Sequence, residues 1–221
     1  MVTLKMAIIF LMEQIRTPFS LIWTIMSPTV LFFFLHFNEI ELHYGDTAWL
    51  GKQISWFVGY ISFSVVLFNY CLYLVGRRES GFIATFVHNM DGRLLFIRSQ
   101  LIASLIMSIL YVFFFILVVL TEFQASPDYQ IVMIILKSIY INAFMMVSLT
   151  FMASFRVTFQ TASTIYSVLI TVCMVSGIVS LKYNEGIVYW INQVNPIAIY
   201  STILQSDQEL SLMTIFFYSI M

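Results

Sequence analysis

Apolar residues run through this chain in long blocks, and the polar positions between them are few and clustered. Five blocks, 18–37, 53–75, 99–120, 131–154 and 157–181, each hold about twenty residues or more, the number a helix needs to cross a ~30 Å hydrocarbon core. Lys137 is the sole Asp, Glu, Lys or Arg inside them. A sixth block, 210–221, rises only about 18 Å at 1.5 Å per residue, so it reads as a short or incomplete span.

Two shorter stretches repeat apolar residues at helical spacing. In 2–16, Leu4, Ile8, Leu11 and Ile15 share one face, with Lys5 and Arg16 opposite and Glu13 beside them. That is the pattern of a helix lying in the membrane interface, and Pro18 then turns the chain into the first block. In 182–209, Ile187, Trp190, Ile191 and Val194 mark one helical face; Asn195–Pro196 breaks it and 197–204 resumes. This stretch is either two short helices dipping in from the outer side or a surface loop. Tyr189, Trp190 and Tyr200 suit the headgroup level, where amphipathic rings are favoured.

The pattern therefore predicts an all-α integral membrane protein, a single transmembrane domain over 1–221. It comprises an N-terminal amphipathic elbow helix, five full transmembrane helices, a sixth short or incomplete one, and an outer re-entrant helix pair before the last. No internal repeat is visible.

Composition agrees: 61% of residues are hydrophobic and 10% charged, where a soluble domain carries about a quarter charged residues. Net charge is −1, which points to no nucleic-acid partner; lipid is the expected surrounding. Cys71 and Cys173 lie mid-block with no Cys or His at ligand spacing, so they read as small buried side chains and no metal site is expected. The run 6–12 is too short for a cleavable leader.

Charge sets the expected orientation. With the N-terminus cytoplasmic, seven basic residues (Lys5, Arg16, Arg77, Arg78, Arg93, Arg98, Arg156) fall on the inner side and Lys52, Lys182 and Lys137 on the outer. Basic residues prefer the cytoplasmic side. The loop 76–98 is then cytosolic and concentrates four arginines between two apolar blocks.

Candidate chemistry is sparse. The nearest approach to a P-loop, Gly45 to Gln53, has five residues between its glycines and Gln53 in place of the metal-binding hydroxyl. His36, His43 and His88 are not at ligand spacing, and no carboxylate falls within a full block, so no catalytic residues are expected. Lys137 either snorkels to the headgroups or is a functional charge. The blocks do carry uncharged polar stripes. Ser55, Gly59, Ser62, Asn69 and Tyr73 fall within about 80° of one helical face, and Gln160, Thr164, Ser167 and Thr171 within about 60° of another. Such stripes either pack helices or line a substrate path.

In order, an amphipathic elbow, a proline-bearing first span, a basic cytosolic loop and an outer helical pair resemble the membrane subunit of a type-two ABC exporter. "RTPFSLIWTIMSPTVLFFF" (16–34) is similar to that family's Arg-x-Pro entry and mid-span proline, here Pro28. "RRESGF" (77–82) resembles its Arg-Glu-x-Gly signature, through Arg78, Glu79 and Gly81, and "NPIAIY" (195–200) its Asn-Pro element before the last span. The resemblance implies that 76–98 forms a coupling helix docking on a separate cytosolic ABC ATPase subunit. Arg78, Glu79, Gly81, Phe82, Phe86, Val87 and Arg93 would carry the coupling. It further implies that ATP and Mg are bound by that partner, with no cofactor on this chain. A second permease copy or a homologous permease completes a dimer, with spans one, two and five facing each other. Ser62, Asn69, Tyr73, Thr164, Ser167 and Thr171 would line the path, with Asn195 and Pro196 at an outer gate. The implied setting is a bacterial plasma membrane. The short loops and the phenylalanines at 32–34 and 113–115 resemble Gram-positive permeases that export amphipathic peptides such as lantibiotics or phenol-soluble modulins. Export of drugs or lipids, and a secondary transporter or channel without an ATPase, are the alternatives.

Overall fold

The computed structural model describes residues 2–16, 18–82, 90–182 and 185–206, and among them no β-strand occurs. The chain forms α1 (Val2–Ile15), α2 (Pro18–His36), α3 (Thr47–Glu79), α4 (Met90–Glu122), α5 (Tyr129–Leu149), α6 (Phe159–Lys182), α7 (Gly186–Gln193) and α8 (Pro196–Gln205). Four of these, α3 to α6, are long and apolar enough to cross a membrane. The five full spans expected are thus met by four on length and hydropathy together. Block 18–37 forms α2, 19 residues long, and 210–221 lies outside the described residues.

Local chemistry sets the helix boundaries. Asp46 caps α3, accepting from the Trp49 backbone N–H at 3.0 Å, and Asp128 caps α5, accepting from Tyr129 N–H at 2.6 Å. These carboxylates satisfy N–H groups that the first turn leaves without an internal partner. The Trp49 N–H, and after it the His43 side chain, hold the Asp46 carboxyl below the usual carboxylate range. Asn195 caps α8 through Ile197 N–H at 2.9 Å, with Pro196 in the first helical turn. Gly81 ends α3 with φ +73°, a left-handed conformation that costs a residue with a Cβ about 1–2 kcal/mol.

The core gathers around α3. In its most apolar window 72% is buried, against 28% for α6, so α3 is the axis of the bundle and α6 lies at its edge. Aromatic rings close the Thr47 end: Phe32 lies 5.1 Å from Phe57 and 5.6 Å from Phe115, both edge-on. The two phenylalanine triplets divide between core and surface. Phe32 and Phe115 are fully buried, while Phe34, Phe113 and Phe114 point outward.

Helix α1 lies along the start of α4, with Ser99 donating to the Thr3 carbonyl at 3.1 Å and Phe10 edge-on to Phe96 at 5.5 Å. Its buried residues are Ala7 and Phe10, whereas Leu4, Ile8 and Ile15 of the expected apolar face are exposed. That face is turned away from the bundle, where lipid is its natural solvent.

Helices α7 and α8 form the pair expected in 182–209. Gly59 lets α8 approach α3 closely: a Cβ there would stand 3.1 Å from the Ile197 carbonyl oxygen. Gly59 is twelve residues into α3, about 18 Å along its axis, so the α7–α8 turn reaches deep into the bundle. The surface-loop alternative is set aside. From that turn α8 climbs back, and Gln205 donates to the Lys52 carbonyl at 3.3 Å.

Candidate functional site

The candidate site is a groove of about 560 Å³ between α2, α3 and α6. Helix α2 contributes Thr24 and Ser27, on the turn beside Pro28. Helix α3 contributes Tyr60, Ser64, Phe68, Asn69 and Leu72, and α6 contributes Ser167, Ile170, Thr171 and Met174. None of these side chains is charged. Three of the hydroxyls donate to their own helices: Ser64 to the Tyr60 carbonyl, Ser167 to the Ser163 carbonyl and Thr171 to the Ser167 carbonyl, each at 2.8 Å. Their oxygens retain lone pairs that face the groove as acceptors. The surface thus mixes apolar side chains with uncharged polar ones.

The α3 wall is unusual. Over Val65–Leu72 the helix is wound as a π-helix, the wide form that is rare and concentrates at functional sites. Two side chains of α4 brace this stretch: Gln100 donates to the Asn69 carbonyl at 2.8 Å and Ser104 at 3.2 Å. The Asn69 side chain is bonded to Tyr111. Phe68, Asn69 and Leu72 also line a smaller cavity of about 240 Å³, which continues past Tyr73, Tyr111 and Phe159 to Glu13 and Gln14 of α1. Glu13 accepts from Tyr73 at 2.8 Å and pairs with Arg77, whose guanidinium lies 4.9 Å from the Tyr73 ring centre and 5.1 Å from that of Phe82.

Three of the six residues expected on the path, Asn69, Ser167 and Thr171, thus face one space. Tyr73 lines the adjoining cavity. Thr164 is exposed on α6 outside the groove, bonded to the Gln160 carbonyl at 3.0 Å. Ser62 points the other way and is fully buried. It accepts from Asn142 Nδ2 at 3.2 Å, and the same amide donates to Ser108 at 2.6 Å, while the Tyr200 hydroxyl donates to Asn142 Oδ1. A closed polar knot therefore joins α3, α4, α5 and α8. Packing is the role of that part of the first stripe.

No protein-family model matches the chain, and no solved structure matches it.

The residues of the loop 76–98 are arranged as follows. Arg78 donates to the Phe155 and Val157 carbonyls, and Glu79 accepts from the Phe159 backbone N–H. Both side chains therefore bind the connection between α5 and α6. Phe82 packs inward against Phe96, ring centres 5.8 Å apart, while Arg93 is exposed. Phe86 and Val87 lie outside the described residues. At the other end of the bundle Asn195 donates to the Cys173 carbonyl at 2.7 Å and to Ser176 at 3.1 Å, tying the α7–α8 turn to α6 with Pro196 beside it. Lys137 does not line the groove. It is buried, and its ammonium donates to the Leu204 carbonyl at 3.4 Å and to the Ser206 carbonyl. It caps the C-terminal end of α8, where unpaired carbonyls and the helix dipole attract a cation.

Thr24, Ser27 and Ser64 in the groove and Asn142 in the knot were not singled out from the sequence. The signal for Asn142 was available: an amide in the middle of an apolar block is costly unless bonded to a neighbouring helix.

Proposed function

We propose that the chain is the permease subunit of an ATP-driven ABC exporter and forms half of the path for a hydrophobic or amphipathic substrate, a peptide in the first instance. The observation that carries this reading is the uncharged groove whose walls are α2, α3 and α6, the first, second and fifth spans of that assignment. In this reading α2 also crosses the membrane, which brings the full spans to five, and 210–221 is a sixth, short or incomplete one. The N-terminus and the Glu79 end lie in the cytosol of a bacterial cell, and the α7–α8 pair enters from outside with Asn195–Pro196 as its gate element. A cytosolic ABC ATPase binds ATP and Mg and docks on the loop 76–98, where Phe86 and Val87 supply apolar contacts beside Arg93. A second copy, or a homologous permease, covers the open side of the groove. Supporting the reading over an ion-coupled carrier, Lys137 is already bonded to backbone carbonyls. The two phenylalanine triplets do not line the groove, so the amphipathic substrate is inferred from the mixed hydroxyl and apolar walls instead.

Reconstitution tests it. The chain, copurified with the ATPase it recruits, is placed in proteoliposomes and supplied with a labelled amphipathic peptide. Peptide should accumulate only with ATP and Mg, and the chain alone should hydrolyse no ATP. Transport driven by an ion gradient without ATP would establish the alternative.

A further inference from the structure

Helix α6 has the least buried of the four apolar windows, yet it forms one wall of the groove. Its middle packs on α3 through Ala162, Tyr166 and Ile170, and two further sets of contacts hold it near its ends. Towards the Lys182 end, Asn195 grips the Cys173 carbonyl and Ser176, and Trp56 of α3 lies so close to Gly177 that a Cβ there would stand 2.8 Å from the indole ring. At the Phe159 end the fixture is Arg78 and Glu79. These neighbours satisfy three backbone groups of the connection entering α6: the carbonyls of Phe155 and Val157, which lie outside helices, and the N–H of Phe159 in the first turn. Thr158 completes the cap by accepting from the Thr161 N–H at 3.2 Å. A carboxylate at a helix N-terminus and a guanidinium forked across two carbonyls are both charge-assisted and directional. The groove lies between the two fixtures.

We propose that Arg78 and Glu79 form a latch that sets the position of α6, and with it the width of the groove. The latch is the releasable fixture of the two. Glu79 is exposed, whereas Asn195 at the opposite end is buried. Any ligand or partner that engages the Arg78 guanidinium or the Glu79 carboxylate must compete with the 155–159 backbone and so frees the α6 end. Both residues are positioning residues. The inference goes beyond the exporter reading and does not depend on it, because its readout is a helix position and not transport.

The test is a distance measurement on the full chain in lipid nanodiscs. Cys71 and Cys173, both buried, are first replaced by alanine. Spin labels at Leu110→Cys on α4 and Val168→Cys on α6 report α6, and labels at Leu110→Cys and Leu136→Cys on α5 serve as control; all three sites are exposed in the parent. In Glu79→Ala and in Arg78→Ala the α4–α6 distribution should broaden or shift by roughly 2 Å or more, the scale of a rearrangement as opposed to side-chain adjustment. The α4–α5 distribution should stay unchanged. Should both distributions move, the whole bundle has loosened, and Glu79→Gln and Arg78→Lys decide. Each keeps a weaker bond to the same backbone and should shift α6 alone. An α4–α6 distribution that superposes on the parent in the alanine variants, or fails to shift on its own in the conservative pair, overturns the latch.

Discussion

Replacing Asn142 with leucine removes the centre of the polar knot while keeping its volume close to the original. Three hydrogen bonds are lost: those to Ser62 and Ser108, and the one received from Tyr200. Bonds between helices in a membrane average about 0.6 kcal/mol and reach about 1.7, so the loss should be about 2 kcal/mol, with an upper bound near 5. The damage is not shared evenly. Ser62 and Ser108 can turn their hydroxyls to carbonyls of their own helices, as Ser55 does to Gly51 and Ser64 to Tyr60. The Tyr200 hydroxyl, on a long rigid ring, has no such escape and is left unpaired at a cost of about 1–3 kcal/mol. Adding Tyr200→Phe to Asn142→Leu should therefore restore stability, whereas Tyr200→Phe in the parent should lower it. In a double-mutant cycle read by reversible unfolding in mixed detergent micelles, the coupling should be about 1 kcal/mol or more, as for residues in direct contact. Coupling indistinguishable from zero would refute the reasoning and reduce the knot to packing.

Phe86→Ala should leave insertion intact but weaken copurification of the ATPase by roughly thirtyfold, the consequence of losing an anchor worth about 2 kcal/mol. Equal recovery of the ATPase with both proteins would remove Phe86 from the docking surface. Gly59→Leu should prevent α8 from seating against α3, where even a Cβ meets the Ile197 carbonyl oxygen at 3.1 Å; the expected readout is faster proteolysis within 186–205. The carboxyl of Asp46 is held below its usual range, so the stability it lends is present above its unfolded pKa, about 4, and is lost as pH falls through the lower folded value. Asp46→Asn, which keeps a capping side chain, should flatten the pH dependence of unfolding below about pH 4; an unchanged acid limb would count against the cap.

Helices α3 to α6 were legible because a run of twenty apolar residues without charge has few other solutions. The α7–α8 pair was legible for a different reason, since Asn195–Pro196 is both a break and a cap. What the sequence concealed is which side each polar residue faces. Ser62 and Asn69 share a stripe on an ideal helix, yet one enters the Asn142 knot and the other the groove. The π-helical stretch begins three residues after Ser62, and its wider turns rotate everything beyond it relative to a 3.6-residue count. The partners of Lys137 and Glu79 stayed hidden because they are backbone atoms distant in sequence, the carbonyls ending α8 and the N–H opening α6. No periodicity marks those.

The depth at which α8 sits also fixes an order of events. Synthesis delivers α3, α4 and α5 long before residue 196, and each is apolar enough to enter a bilayer on its own. During that interval Asn142 has only the Ser62 and Ser108 hydroxyls as partners, and the slot beside Gly59 has no occupant. Tyr200 closes the knot from 58 residues downstream, and Lys137 reaches its carbonyls only after residues 204 and 206 have emerged. A ribosome stalled before Pro196 would therefore hold a bundle in which the Lys137 ammonium lacks its two carbonyls and Asn142 Oδ1 lacks its donor. Such an intermediate needs either a companion in the membrane or a short wait.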